Sequence, residues 1–374
     1  METGRLFLLT FAPLLLAHAC QVEESEYRVV ARGQYAVVYE SNGLDGDVCP
    51  GAAAEVDRQV KDLATALRVE VPDDFKVVAR VEPDEATVKA LCDNPSFSGC
   101  AQRTADGDSL LITAQYLLGH ETVPAVQRLR ESRAHRALRE GEAEMFADLA
   151  DSFGSLDYCM NGAVSEANIR QALDDPGFPG AYDLFHEVVV RVYQLHGAEA
   201  FDALWAASAA DPTTEGLLRA FEDVLDTTLF DLMQEPLSTC RDQHPGCGGL
   251  ERRTLPPEGL SFSASQTCGP GVTGLQRPEE AESSGRLYRS YVMEIPEDGM
   301  LSADFNGEGA SVVHIGACDG FDSVHGYGFF TSADEEQGSV FEYPVEAGSY
   351  RVVVIGFSNG LPSEATLHLE PAGG

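Results

Sequence analysis

The hydrophobic period of this chain changes once, and that change constrains the fold more than any other feature. Between residues 115 and 237 apolar side chains recur at helical spacing, as at Phe185, Val188 and Val192. After a stretch rich in Pro and Gly at 241–259 the period becomes two, for example along 287–295. Short alternating strands between Gly, Pro and Asp turns are typical of a β-sandwich. The sequence therefore predicts two domains joined by a linker.

The first domain contains both periods. Residues 27–31 and 35–39 alternate around a Gly-containing turn, which predicts a β-hairpin. The next predicted elements are a helix at 56–67, a strand at 75–81, a helix at 84–92 and a strand at 109–113. The predicted fold class is α+β: a mixed sheet plus helical bundle at 27–240, a linker at 241–259 and an all-β sandwich domain at 260–374. A length of 374 residues fits two domains.

The first 19 residues are predicted to be a signal peptide. The apolar run at 6–16 is too short to span a bilayer permanently. It ends in Ala17-His18-Ala19-Cys20, where Ala-x-Ala suits an ordinary signal peptidase and the cysteine is similar to a lipoprotein box. We favour lipidation of Cys20, with residues 20–26 as a tether, which predicts an exported cell-envelope lipoprotein. The alternative is a secreted or periplasmic protein.

Nine cysteines fit an exported chain, because disulfides form in oxidising compartments. With Cys20 lipidated, the disulfide candidates are Cys49, Cys92, Cys100, Cys159, Cys240, Cys247, Cys268 and Cys318. Short spacing favours Cys92–Cys100 and Cys240–Cys247, and Cys268–Cys318 and Cys49–Cys159 would then close the two domains, although eight cysteines allow many other connectivities. A zinc site at Cys240, His244 and Cys247 is a less favoured alternative to a disulfide in that loop.

The charge balance excludes one class of partner. The chain has 61 acidic and 25 basic residues, a net charge of −36. Such a surface repels nucleic acids and anionic lipid headgroups. We therefore expect no nucleic-acid partner, and contact with a membrane only through a lipid anchor on Cys20.

Two short segments contain residues suited to a catalytic zinc. Segment 119–124 reads Gly-His-Glu-Thr-Val-Pro, and segment 140–144 reads Glu-Gly-Glu-Ala-Glu. In zinc hydrolases two histidines four residues apart point the same way on a helix, and the glutamate after the first is the general base. A third protein ligand completes the site and leaves one position open for water.

These segments resemble the gluzincin-type zinc metallopeptidases, in particular exported bacterial members with an aminopeptidase-like core. The resemblance covers roughly residues 27 to 235 and implies a metallopeptidase-like first domain. It implies that His120 and Glu140 are metal ligands and that Glu121 is the general base. It also implies that Tyr182, in Ala181-Tyr182-Asp183-Leu184-Phe185, stabilises the oxyanion. Segment 347–354 is similar to the non-catalytic β-sandwich modules appended to secreted bacterial peptidases.

The chain departs from the family at Pro124, which stands in the place of the second histidine. Proline offers no ligand atom, and in a helix interior it costs about 3 kcal/mol or more. We expect the helix either to be kinked at Pro124 or to begin there. His135 is a possible substitute ligand, but a solvent-exposed histidine is favoured. A second His-Glu pair at His186 has Val190 one turn on, and we interpret it as a surface or satisfied histidine.

The sequence therefore predicts a catalytically degenerate metallopeptidase-like surface lipoprotein that binds peptide or protein. In this hypothesis His120, Glu121, Glu140 and Tyr182 are vestigial and no cofactor is held, zinc being the metal if the site works. One alternative is an active zinc-dependent peptidase with a nonstandard ligand set. Another is a structural envelope or adhesion protein whose cleft is filled by side chains.

Overall fold

A computed structural model describes residues 26–92, 99–104, 106–114, 119–147, 164–175, 177–237, 246–265, 267–276, 286–307, 311–318, 323–324, 341–357 and 363–371. The predicted signal peptide, the tether to residue 25, Cys20, Cys159, Cys240 and His244 lie outside these ranges. Within them, no helix has the length and apolar character needed to cross a membrane.

Helices and strands are both abundant, which confirms the predicted α+β class. The helices of the described residues are α1 (Ala52–Ala66), α2 (Glu85–Leu91), α3 (Gly119–Gln127), α4 (Arg136–Met145), α5 (Glu166–Asp174), α6 (Ala181–Ala210), α7 (Thr214–Leu225) and α8 (Leu229–Gln234). The strands are β1 (Tyr27–Arg32), β2 (Ala36–Ser41), β3 (Asp47–Val48), β4 (Val77–Val81), β5 (Gly99–Arg103), β6 (Ser109–Thr113), β7 (Glu251–Thr254), β8 (Leu260–Ser263), β9 (Thr273–Gln276), β10 (Arg286–Ile295), β11 (Gly299–Gly307), β12 (Ser311–Ala317), β13 (Ser323–Val324), β14 (Phe341–Val345), β15 (Gly348–Phe357) and β16 (Ser363–Pro371).

The first sheet has the order β1-β2-β4-β6-β5. Strands β2, β4 and β6 are parallel, and β1 and β5 pair antiparallel at the two edges. Strand β6 is buried throughout, because Leu111 faces the main core while Leu110 and Ile112 pack with Val88 of α2. The hairpin and the four elements predicted between 56 and 113 are all present.

The helical region packs around α6. The helical period predicts one buried stripe at Phe185, Val188, Val189, Val192 and Leu195. The first four are buried on α6, but the prediction is wrong for Leu195, which is 39% exposed. The helix is interrupted at Gly197, whose φ of 84° lies in the left-handed region that glycine adopts without a steric penalty. Helix α4 packs against α6, which fixes the position of α4.

The chain beyond residue 246 forms two further sheets. One has the order β13-β12-β15-β10-β9-β3, with β7 also pairing with β10, and the other has the order β14-β11-β16-β8. Phe262, Leu301 and Leu367 of the smaller sheet join Tyr291 and Val352 of the larger one in a single core. Strand β7 lies inside the predicted linker and pairs parallel with β10.

The two regions are joined by more than the connecting chain. Strand β3 pairs with β9, and Cys49 forms a disulfide with Cys268. Arg351 of β15 is fully buried and donates a hydrogen bond of 3.1 Å to Glu55 of α1. The larger sheet therefore packs directly against α1.

Three disulfides lie among the described residues: Cys49–Cys268, Cys92–Cys100 and Cys247–Cys318. The predicted Cys92–Cys100 pair is confirmed. The predicted pairs Cys49–Cys159, Cys240–Cys247 and Cys268–Cys318 are wrong, as is the zinc alternative at Cys247. Their shared error has a physical reason: sheet pairing brings distant segments together, so sequence spacing identifies only the pair that closes a short loop. The disulfides fit the predicted export.

Candidate functional site

A cleft of about 1450 Å³ opens between β5, α3, α4, the start of α6 and the loop that joins α3 to α4. The cleft is lined by His120, Glu121, Pro124, Glu140 and Tyr182, all singled out from the sequence. Glu144 and six arginines also line it: Arg103, Arg128, Arg130, Arg133, Arg136 and Arg139. The fold therefore brings together the two motif segments and the tyrosine segment.

Helix α3 presents His120 and Glu121 to the cleft. It begins at Gly119 and contains Pro124, so the expectation that the helix begins at Pro124 is wrong. His120 is thus helical, although proline cannot donate the backbone hydrogen bond of its position. Thr122, on the opposite face, donates a hydrogen bond of 2.9 Å to Gln59 of α1 and fixes the rotation of α3.

Helix α4 presents Glu140 and Glu144 to the same cleft. The two residues are four apart and share one helical face. Between them Gly141 faces α6 so closely that a Cβ there would lie 2.1 Å from the carbonyl oxygen of Phe185. The glycine of the motif therefore sets the distance between α4 and α6, and with it the position of both glutamates.

His120 lies between these carboxylates. Its Nε2 is 4.0 Å from Oε2 of Glu140, and its Nδ1 is 3.5 Å from Oε1 of Glu144. The two glutamates thus approach different nitrogens of one ring. Lone pairs on opposite sides of an imidazole cannot converge on one ion, so this arrangement orients the ring without building a three-ligand centre.

Glu121 has the protonation behaviour of a buried acid. Burial raises its pKa above the usual value, and the negative charges of Glu140 and Glu144 raise it further, while His120 acts in the opposite direction. A raised pKa suits a general base, but such shifts also occur in purely structural sites. The shift therefore does not by itself identify a catalyst.

Tyr182 lies at the start of α6, where it meets Arg136 of α4. Arg136 Nη2 donates a hydrogen bond of 2.8 Å to the tyrosine hydroxyl, and Arg136 Nε lies 3.6 Å from Glu140. Burial raises the pKa of Tyr182, and the charge of Glu140 adds to the effect. The tyrosine therefore stays neutral and can donate its proton in a hydrogen bond to a ligand oxygen.

The residues present do not fit a catalytic zinc. Nε2 of His120 lies 4.0 Å from Oε2 of Glu140, and Pro124, where the resemblance implies a second histidine, lines the same cleft but offers no ligand atom. Among the described residues no group of three His, Cys, Asp or Glu side chains is placed to hold a metal ion. A catalytic zinc takes three protein ligands.

The other two histidines of the sequence analysis lie elsewhere. The prediction that His135 is solvent-exposed is wrong: it is buried at the start of α4, and its Nδ1 accepts a hydrogen bond of 3.1 Å from the backbone N–H of Ala137. The side chain caps the start of α4, and the backbone N–H donates to the buried Ser208 of α6, which places His135 inside the helical packing. His186 is buried in α6 and has an interaction partner, as expected of a satisfied histidine.

The sequence analysis missed the arginines of the cleft. Five of the six fall in the short segment 128–139, in a chain with only 25 basic residues. This local excess was the available signal. It was hidden by the net charge of the whole chain, which describes the average surface and not one site.

Comparisons with known proteins add little to this geometry. No protein-family model and no curated protein matches the chain. Among solved structures it is similar to the pre-peptidase C-terminal domain of a Bacillus anthracis collagenase, with 13% identity over 32% of this chain and 93% of that domain and a TM-score of 0.21. It is also similar to a periplasmic lysozyme inhibitor of Aeromonas hydrophila, with 8% identity, coverage of 32% and 98%, and a TM-score of 0.18. TM-scores this low establish neither a shared fold nor a function.

Proposed function

We propose that this protein binds peptide segments in the α3–α4 cleft without cleaving them. It would be a catalytically degenerate relative of the zinc metallopeptidases, exported and anchored through Cys20, with an accessory β-sandwich formed by the two C-terminal sheets. The observation that supports the proposal is that His120 and Glu140 lie side by side in an open cleft that Pro124 also lines. In this proposal the cleft is an old peptidase site whose ligand set is incomplete.

The shape of the cleft supports a peptide ligand. Strand β5 forms one wall and is an edge strand of the first sheet. Within the described ranges no strand pairs with its outer side. An extended peptide can pair with such an edge through its backbone, independently of its sequence.

The middle of this edge is already engaged. Arg128 donates a hydrogen bond of 2.8 Å to the carbonyl of Ala101 and another to the carbonyl of Gln102. A bound peptide is therefore expected to pair toward Gly99 and Cys100, next to the disulfide that joins β5 to α2. That disulfide restricts the movement of the edge and reduces the entropy lost on binding.

Metal analysis of the purified chain tests the absence of zinc chemistry. The wild type is expected to hold less than one zinc per chain and to show no chelator-sensitive peptide hydrolysis. The Pro124→His variant restores an imidazole four residues after His120 and should gain zinc affinity. Pro124→Ala is the matched control, because it removes the proline without adding a ligand.

Two outcomes would contradict the proposal in different ways. Wild-type peptide cleavage that is lost with a chelator and with Glu121→Gln would establish an active peptidase instead. Equal zinc affinities of Pro124→His and Pro124→Ala would show that the scaffold does not place a second ligand. The claim that the cleft binds peptides without cleaving them is tested by direct binding of labelled peptides, with no release of shorter products.

A further inference from the structure

The cleft concentrates positive charge in a strongly acidic protein. Of its six arginines, two are neutralised locally: Arg130 pairs with Glu142, and Arg136 lies beside Glu140. The other four form no ion pair with any described residue: Arg103, Arg128, Arg133 and Arg139. Three of them, Arg103, Arg128 and Arg139, do donate hydrogen bonds to backbone carbonyls, which fix their position without neutralising their charge. We call these four the arginine group.

Acidic residues outnumber basic ones by 61 to 25 in this chain. Among the described residues most arginines outside the cleft are paired with carboxylates: Arg28, Arg58, Arg68, Arg80, Arg170, Arg191, Arg219, Arg252, Arg253 and Arg351. Arg32 and Arg289 are exceptions, but they are isolated, whereas four arginines without an ion pair to a described carboxylate line one cleft.

The members of the arginine group feel one another's charge. Burial lowers the pKa of Arg128, and the nearby charges of Arg103 and Arg133 lower it further. Burial and the charges of Arg133, Arg136 and Arg128 act in the same way on Arg139. Glu121 offsets part of this repulsion at Arg128, and Glu140 offsets part of it at Arg139. A bound anion would relieve the rest.

The anion has to be compatible with the rest of the cleft. The side formed by His120, Glu140 and Glu144 is acidic, whereas the arginine group includes Arg103 of the edge strand and extends along the α3–α4 loop. A ligand that contacts both sides of the cleft needs its negative charge localised near the arginines. The rest of the ligand, along β5 and beside the glutamates, should be uncharged backbone. Planar guanidinium groups match carboxylates in a two-point geometry.

We propose that the arginine group recognises carboxylates of the bound peptide, so that the cleft selects acidic peptide segments. This inference rests on the proposed function, since it names the class of peptide that the cleft takes. The net charge of −36 does not prevent such binding. At physiological ionic strength charges more than roughly 8 Å away are largely screened, so the nearby arginines dominate.

Two pools of short labelled peptides test the proposal on the full-length chain. The pools differ only in carrying Glu or Gln at the same alternate positions, and each is prepared with a free and with an amidated carboxyl terminus. We expect the Glu pool to bind about tenfold more tightly at low salt, with a smaller ratio as salt is added. The two termini separate recognition of side-chain carboxylates from recognition of a chain end.

The variant Arg133→Gln assigns the preference to the arginine group. Arg133 is exposed and has no described ion-pair partner, so the fold is expected to be unaffected. The Glu-to-Gln preference should fall by about threefold, because the variant weakens binding of the Glu pool more than binding of the Gln pool. Arg170→Gln is the matched control, an exposed arginine of α5 outside the cleft, and it should leave the preference intact.

The outcomes separate the two proposals. Equal binding of both pools would overturn carboxylate selection and leave peptide binding in place. Failure of both pools to bind would contradict the proposed function itself. A preference that survives Arg133→Gln combined with Arg139→Gln would place recognition elsewhere. Inorganic phosphate is added at the same total concentration of negative charge as the Glu pool. If it displaces that pool, the arginines form a general anion site and peptide selection is overturned.

Discussion

The two faces of α4 use the same residue type for opposite purposes. On the cleft face, Glu140 and Glu144 are partly exposed and lie beside His120. On the core face, Glu142 is fully buried and accepts hydrogen bonds from Arg130 at 2.7 and 3.0 Å, from Tyr193 at 2.9 Å and from Gln127 at 2.9 Å. Position on the helix, not residue type, separates the two glutamates that line the cleft from the buried glutamate that stabilises the fold.

A motif match therefore does not show by itself which of its residues reach a site. The segment 140–144 contains three glutamates, and only two of them reach the cleft. Burial raises the pKa of Glu142 even though Arg130, Tyr193 and Gln127 favour its charged form. A shifted pKa in a motif residue thus marks a structural centre as readily as a functional one.

Removing the buried glutamate is expected to have the largest effect on stability. Glu142→Ala leaves the buried Arg130 with only the longer and more exposed contact to Asp202 at 3.4 Å, and loss of the partner of a buried charge typically costs about 3–5 kcal/mol. Denaturant unfolding followed by circular dichroism measures it. Glu144→Ala on the cleft face is the matched control and should change the free energy of unfolding by less than about 0.5 kcal/mol. Similar values for the two variants would remove the distinction between the faces.

Crowding the core face should have the next largest effect. In Gly141→Ala the added Cβ would overlap the carbonyl of Phe185, so α4 and α6 must separate. Overpacking of this kind costs about 1–3 kcal/mol. Gly43→Ala is the control, because a Cβ there meets its nearest atom at 3.8 Å, an ordinary contact. If Gly141→Ala unfolds at the wild-type denaturant concentration, the glycine does not set the helix spacing.

Much of the first sheet and of the cleft was predictable from local patterns. Alternation and helical spacing identified β2, β4, β6 and α1, because each of these elements buries one face or both. Strand β1 was identified by its alternation and its hairpin turn, although none of its residues is fully buried. The two motif segments pointed to His120, Glu121 and Glu140, because each segment lies on a single helix, where spacing along the sequence fixes which residues share a face. Tyr182 was found through the family resemblance and not through spacing.

The features that depend on distant segments were not predictable. The Cys49–Cys268 disulfide joins segments separated by 219 residues, and β3 pairs with the similarly distant β9; nothing local indicates either. The buried state of His135 depends on Ser208, whose hydroxyl accepts a hydrogen bond of 2.8 Å from the histidine backbone. The arginine group needed the fold as well, since Arg103 is brought to segment 128–139 by the packing of β5 on α3.

A pH test extends the comparison to a buried acid outside α4. Glu82 is almost fully buried beside Arg80 at 3.0 Å, and burial raises its pKa despite that partner. A raised folded-state pKa means that the folded protein holds the proton more tightly than the unfolded one. The resulting stability is fully present below the unfolded pKa and is lost as pH rises through the folded pKa.

The comparison of wild type with Glu82→Gln isolates this effect from the other carboxylates. The stability of the wild type relative to the variant should fall as pH rises from acid toward neutral, by less than the change expected for Gly141→Ala. Unfolding free energies at a series of pH values measure it. A relative stability that is constant, or that rises with pH, would mean that Arg80 outweighs burial at this site.

Glu140→Gln is expected to have the smallest effect on stability. Its contrast with the large loss expected for Glu142 is the sharpest test of the difference between the two faces of α4. Glu140 is partly exposed and its nearest cation, Arg136, is 3.6 Å away, so the change in unfolding free energy should stay below about 0.5 kcal/mol.

The main consequence of Glu140→Gln is expected in the cleft instead. In the Pro124→His background, Glu140→Gln should abolish most of the gained zinc affinity, because the amide cannot supply the anionic ligand. Glu142→Gln has the opposite expectation: a large loss of stability, with zinc affinity retained in the molecules that fold. If both substitutions weakened zinc binding equally, α4 would act as one unit and the division between its faces would not hold.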